Sequence, residues 1–202
     1  MANMGTAKPR AEKMAETRAK LILAARRAFA TKGYAAASMD DLTADVGLTR
    51  GALYHNFGDK RGLLMAVVNE IDGEMATRAH ATASKIKDPW GALVAECIAY
   101  IELALDPEIQ RIVLLDGPAA LGDPSMWPSQ QKCVQATTES LGALIREGLV
   151  KRIDPEAAAR LLNGAALNAA LWIAASEHPN RTFTKATKAF KCFAEGLLQP
   201  VR

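Results

Sequence analysis

Residues Ser38 to Lys60, SMDDLTADVGLTRGALYHNFGDK, read as two short helices joined by a glycine turn. Ser38 followed three positions later by Asp41 has the form of a capping box, with Asp in the place more often taken by Glu. A helix is therefore expected to begin at Met39 and to carry Leu42 and Val46 inward. Gly47 ends it, because a glycine just past the last helical residue takes the left-handed conformation at no steric cost and lets the chain turn through Leu48. Thr49 can cap a second helix, Arg50 to Phe57, in which Leu53 and Phe57 sit four apart on one face while Arg50, Gly51, Tyr54 and His55 point elsewhere. A helix this short must be held by its neighbours. That is the arrangement of a helix-turn-helix, whose second helix lies in the major groove of DNA.

Outward from this stretch the pattern stays helical. The first ten or so residues are polar, contain Pro9 and are expected to form a mobile arm. A first helix follows from about Glu12 to Lys32, with Leu21, Ala25, Ala28 and Phe29 on its buried stripe and Gly33 at its end. On the other side, Asp59 caps a long helix from Lys60 to about Ser84, striped by Leu63, Leu64, Val67, Val68, Ile71 and Met75. Asp88-Pro89 opens a helix that is apolar on nearly all sides and is expected to be central and buried. Asp106-Pro107 opens another through about Leu115, and a Gly/Pro/Trp-rich connection spans Gly117 to Pro128. A long amphipathic helix then runs to about Leu149, an alanine- and leucine-rich one from Glu156 to about Ser176, and a last one from about Thr184 to Leu198. No strand-like alternation or internal repeat interrupts the series. The fold class is all-α, of nine or ten helices, with a small domain over 1–60 and a larger one over 61–202.

Composition and charge agree. Half of the 202 residues are apolar, enough for a real core, and the net charge is only +3. That charge is unevenly placed: through Arg61 there are 11 Lys and Arg against 6 Asp and Glu, giving +5, and the remainder holds 14 against 16, giving −2. The basic part coincides with the two-helix motif, as an electrostatic footprint for phosphate would. Cys97, Cys133 and Cys192 are widely spaced and odd in number, so neither a disulfide framework nor a zinc site is indicated, and a reducing cytosol fits. No apolar run approaches the about 18 residues a membrane span needs, nor does the start of the chain look like a signal peptide. Only three histidines occur, His55, His80 and His178. With no HExxH, GxSxG, P-loop or dinucleotide glycine pattern, an enzyme is disfavoured. No cofactor is implied.

A basic first helix ending in FATKGY (Phe29 to Tyr34), the S-x-x-D cap, and TRGALYHNFGDK (Thr49 to Lys60) together resemble the N-terminal domain of the TetR-type bacterial transcriptional regulators. The likeness covers about the first 75 residues strongly; Arg111 to Gly122, RIVLLDGPAALG, is similar to one branch of that family. Two positions depart from its pattern: Asn56 stands where His is usual, and Thr43 where Ala is usual. The resemblance implies a homodimer on double-stranded palindromic operator DNA, with repression relieved by a small-molecule effector bound in the larger domain. The competing classes are a helical small-molecule-binding module, a redox sensor resting on the cysteines, and an unrecognised enzyme.

Roles in the motif follow from chemistry. Thr49, Arg50 and Gly51 open the second helix and face the groove first; Arg50 can read guanine with two hydrogen bonds or clamp a phosphate. Gly51 removes a side chain where backbones must come close. Tyr54, His55 and Asn56 can follow onto sugar, phosphate or base, and Lys60 begins the next helix, where the dipole already favours an anion. Arg18, Ser38 and Met39 complete the expected DNA-facing set. In the larger domain, Ala158, Gly164, Ala165 and Ala169 permit close helix approach, and together with Leu161, Asn168, Phe190, Phe193 and Leu197 they are expected to pair two chains through the last two long helices. Met75, Cys97, Tyr100, Asp116, Trp127, Asn168 and Trp172 interrupt or punctuate apolar helices and are the candidate effector lining. Their mostly apolar character points to an uncharged or lipophilic ligand.

Overall fold

Side-chain caps set where most helices begin. In a computed structural model, which describes residues 10–200, the helices are α1 (Arg10–Lys32), α2 (Met39–Ala44), α3 (Arg50–Phe57), α4 (Lys60–Ala83), α5 (Pro89–Leu103), α6 (Pro107–Ile109), α7 (Gly117–Leu121), α8 (Pro128–Arg146), α9 (Pro155–Ala174) and α10 (Pro179–Glu195). A π-helical stretch, Gln110–Asp116, joins α6 to α7 without a break. The expected arm through Pro9 lies outside the described residues. Among the described residues there is no strand, only an isolated antiparallel bridge between Val150 and Leu198. The chain divides into two compact units, Met1–Val67 and Val68–Arg202.

In the first unit α1 buries Leu21, Ile22, Ala24, Ala25 and Phe29, and both α2 and α3 pack against it and against each other. Ser38 caps α2 by accepting from the backbone N–H of Asp40 at 3.2 Å and Asp41 at 3.4 Å. The Asp41 carboxylate faces Lys32 at 3.8 Å. The turn out of α2 is a Schellman closure: Gly47 N–H donates to Ala44 O and Leu48 N–H to Thr43 O, with Gly47 at φ 65°. Only a residue free to take positive φ closes the helix so tightly, which fixes where α3 starts. Thr43 is buried, and its hydroxyl donates to the Met39 and Asp40 carbonyls at 3.2 and 3.0 Å, so the extra polar atom is satisfied inside its own helix.

In the second unit α9 is the helix against which α8, α10, α5 and the π stretch pack. This corrects the expectation for α5. Leu93, Cys97, Ala99, Ile101 and Leu103 are buried, but Trp90, Val94, Ile98 and Tyr100 are only half-buried, since α9 and α10 do not surround the helix; of these four, Tyr100 borders a cavity. Two further boundaries differ from the sequence reading. Gly117–Leu121 is helical rather than a connection: Gly117 N–H reaches back five residues to Ile112 O, and this widened turn carries the helix past Pro118, which has no N–H to donate. Gly117 also has to be small, since a Cβ there would lie 2.8 Å from the Trp127 ring. The last helix begins at Pro179, ahead of the expected Thr184, by the same proline-first start that opens α5 and α9. Its far end is tied down where Lys151 donates from Nζ to Gly196 O at 2.6 Å and from its backbone N–H to Leu197 O at 2.9 Å.

Candidate nucleic-acid interface and ligand cavity

The fully buried Leu53 anchors α3 by one side and leaves the opposite side outward. Thr49 caps the helix by accepting from Ala52 N–H at 3.2 Å, which spends its hydroxyl oxygen on the backbone. On the outward side Arg50, Gly51 and His55 are exposed, and Tyr54 is 50% exposed. A Cβ at Gly51 would meet only the Thr49 hydroxyl, at 3.7 Å. Nothing within the chain therefore demands glycine there. Arg50 Nε pairs with Asp40, both side chains more than half exposed, so water screens the pair and phosphate can displace it at small cost.

The remaining predicted contacts flank this face. Arg18 is exposed and its guanidinium carbon lies 4.9 Å from the Phe57 ring centre, stacked over the end of α3. Asn56 is half-buried and donates from Nδ2 to Ala52 O at 2.7 Å, which leaves its carbonyl oxygen and one amide proton for other partners. Lys60 donates to Ala35 O at 3.1 Å and sits 4.6 Å from the Tyr34 ring centre, so it braces the turn after α1 as well as carrying a charge. Asp59 caps α4 by accepting from Gly62 N–H at 2.7 Å. Burial, and secondarily Asp59, push the Tyr34 phenol above its ordinary value. Ser38 and Met39 are half-buried at the start of α2.

A cavity of about 550 Å³ lies within the second unit, between α4, α5, α8 and α9. Of the residues expected to line it, Cys97 and Tyr100 do. Met75 is buried in the α4 stripe, Asp116 pairs with Arg111 at 3.2 Å, and Trp127 is packed against Gly117. Asn168 and Trp172 face outward. The sequence reading missed Asp72, Ser129, Gln130, Thr137 and Asn163, all of which border the cavity. Asp72 was detectable, because Val68, Asp72, Met75 and Ala79 fall on one helical stripe and a carboxylate there is out of keeping. Burial raises the Cys97 thiol to about 12 and also raises Cys133, the opposite direction from the lowered value that activates a redox thiol. Among the described residues no cluster of three His, Cys, Asp or Glu is placed to hold a metal, and no helix is long and apolar enough to cross a membrane.

The outer surface of α9 and α10 carries a second apolar face. Leu161, Trp172 and Phe193 are 66%, 51% and 52% exposed, with Gly164 and Asn168 also exposed and Ala165 and Leu197 half-buried around them. Ala158, Ala169 and Phe190 are buried, each one turn along the helix from an exposed residue of this face.

Comparison with known proteins agrees with this geometry. Residues 21–67 match the family described as "Bacterial regulatory proteins, tetR family", and residues 90–197 match "Tetracyclin repressor-like, C-terminal domain". The chain is 32% identical over 158 residues to the HTH-type transcriptional regulator TtgR of Pseudomonas putida, covering 73% of this chain and 75% of that one. It is 28% identical to the transposon Tn10 TetC protein of Escherichia coli, over 76% and 78% of the two. A crystal structure of a TetR-family transcriptional regulator from Pectobacterium atrosepticum superposes with a TM-score of 0.86 at 48% identity, covering 96% of this chain and all of that one. An outward-facing α3 held by a buried leucine, the Schellman turn before it and these matches along both units place the chain in the TetR family of DNA-binding transcriptional regulators.

Proposed function

We propose that the chain is a cytoplasmic, homodimeric repressor that reads a palindromic operator through two copies of α3 and releases it when a small, lipophilic effector fills the cavity of the second unit. The observation that carries this is the outward face of α3, where Gly51, Tyr54 and His55 are exposed and Arg50 is held by a solvent-screened pair with Asp40. Arg50 is the base-reading or phosphate-clamping group, Tyr54 and His55 extend the contact, and Arg18 and Lys60 hold the backbone of the duplex. Ser38, Met39, Thr49 and Asn56 line the edges of the same face. Pairing through Leu161, Gly164, Trp172 and Phe193 would cover an apolar area that a lone chain leaves in water, and a twofold axis through it sets half-sites about one helical turn apart. For the effector to act, it must bind the DNA-incompetent arrangement more tightly, since equal affinity for both shifts nothing.

A gel shift and a fluorescence titration with the DNA upstream of the chain's own gene test the reading. Two chains per palindromic site are expected. Arg50→Ala should weaken that complex by about 1–3 kcal/mol and reduce discrimination against a scrambled site. Wild-type affinity and discrimination in Arg50→Ala would remove α3 as the reading helix.

A further inference from the structure

Asp72 occupies a position on α4 where an apolar residue is expected. Its neighbours on the buried stripe, Val68, Ile71 and Met75, are all within 1% of full burial, and Asp72 itself is only 5% exposed. A carboxylate taken out of water needs a cation or several donors to offset the loss of hydration. Here the close donor is the Ser129 hydroxyl, from the start of α8, 2.5 Å from Oδ2, and the Gln130 side chain lends a second, weaker donor; together they fall short of offsetting burial. Oδ1 has no partner, and Asp72 enters none of the ion pairs among the described residues. The other charged groups bordering the cavity are at its rim, where Glu96 faces His80 at 3.6 Å and Lys132 is exposed. Inside, the walls are Leu93, Ala76, Ala79 and Ala166 together with neutral polar groups.

A second polar group in the same cavity is also left over. Asn163 accepts from the Thr137 hydroxyl at 3.2 Å, and its Nδ2 is buried without a partner. Turning the amide over leaves Oδ1 in place of Nδ2 unpartnered, because the Thr137 hydroxyl can donate or accept, so one buried polar atom is left over either way and a ligand hydroxyl suits both orientations. Gln130 Nε2 donates to the Tyr100 hydroxyl at 3.2 Å, and its second amide proton faces Asp72, so Gln130 is a neutral neighbour of the carboxylate and supplies no charge to balance it.

We propose that this cavity takes a lipophilic ligand carrying a protonated nitrogen, with the ammonium held by Asp72 and a hydroxyl of the ligand met by Asn163. The regulatory meaning of such binding rests on the function proposed above; the ligand chemistry does not. An anionic ligand would meet Asp72 and the rim carboxylate of Glu96 with only Lys132 to oppose them. A neutral one would leave the buried carboxylate as poorly compensated as before. An ammonium adds a charge-assisted hydrogen bond where the surroundings are least like water, and the alanine and leucine walls take the apolar body. Burial holds the Asp72 pKa above its ordinary value, and a cation seated beside it draws it back down, so uptake of the ligand and ionisation of Asp72 go together.

Isothermal titration of the full chain with 4-phenylbutylamine, 4-phenylbutanol and 4-phenylbutyrate at neutral pH separates the three ligand classes. The amine is expected to bind at least about tenfold more tightly than the alcohol, the worth of one charge-assisted bond in a buried site, and the acid most weakly. Asp72→Asn should remove the preference for the amine while leaving the alcohol's affinity nearly unchanged. Should that variant fail to fold, Ser129→Ala keeps the carboxylate, removes its donor, and is expected to retain or increase the preference. Equal binding of amine and alcohol, tighter binding of the acid, an undiminished preference in Asp72→Asn, or no binding of the amine at millimolar concentration would each overturn the proposal. Operator release is scored separately. An amine that binds through Asp72 without loosening DNA leaves the ligand class standing and removes the effector role; intact DNA binding with no amine binding does the reverse.

Discussion

In the first unit the groups offered to a partner stand outside the fold, on one short helix whose inner side is Leu53; in the second they line a cavity and come from helices far apart in the chain. Ser129 and Asp72, which meet at 2.5 Å, are 57 residues apart. An outward site needs only a local pattern and a rigid support behind it. An inward site needs the whole packing to be right before its chemistry exists, and it places polar groups where solvation is scarce. The two units are therefore sensitive to different kinds of substitution: the first to loss of support beneath an exposed face, the second to a change of charge in a buried one.

The largest effect is expected from Leu53→Ala. Leu53 has no exposed surface and is the apolar side of a helix too short to persist alone. Its truncation should cost about 2–5 kcal/mol in the first unit and abolish operator binding, even though no DNA-facing residue is altered. Thermal melting followed by helicity, beside the gel shift, should show most of the helix signal surviving the loss of DNA binding. Operator binding close to wild type in Leu53→Ala would show that α3 does not depend on this support.

A smaller effect of opposite sign is expected at Asp72. Its folded pKa lies above its unfolded one, so as pH rises the unfolded chain gives up its proton first and stability falls through that window. Asparagine has no such proton and can still accept from Ser129. Asp72→Asn should then be more stable than wild type at neutral pH by about 1–3 kcal/mol, with the gain fading as pH falls toward the ordinary carboxylate range. Urea melts at neutral pH and near pH 4 test it; a gain of the same size at both would show that ionisation of Asp72 is not the cause.

What could be read from the sequence divides along the same line. Ser38, Thr49, Asp88, Asp106 and Asp154 mark helix starts to within one or two residues, because a cap is a bond between near neighbours and is written in near neighbours. The outward set on α3 follows from one leucine and its spacing. Gly117 and Pro118 read locally as breakers, yet the widened π turn and the packing of Gly117 beneath Trp127 keep the chain helical, a tertiary effect that propensity does not contain. A polar or aromatic residue in an apolar helix reads as inward-facing, which assigns Asn168 and Trp172 to the effector lining. They face outward instead, since α9 has two apolar sides and only one is covered within the chain. Asp72 is legible as a carboxylate on an apolar stripe, but its pairing with Ser129, 57 residues on, is not.

The smallest expected effect sharpens the comparison from the outward side, where charge should act through solvent and not through packing. Lys60 has two roles in the fold: its ammonium donates to Ala35 O, and it lies against the Tyr34 ring, which itself stands edge-on to Phe29 with centroids 5.6 Å apart. A lysine that contacts phosphate lowers the slope of log K against log salt by about 0.9 when removed, because one fewer counterion is released, and it does so equally on operator and scrambled DNA. A lysine that only braces the α1 turn would lower affinity without touching that slope. Lys60→Ala removes both roles, whereas Lys60→Arg keeps the charge while changing the geometry toward Ala35. The expected result is a reduced slope in Lys60→Ala and a wild-type slope in Lys60→Arg. An unchanged slope in Lys60→Ala would assign Lys60 to the support of the motif, alongside Leu53, and take it off the DNA-facing set.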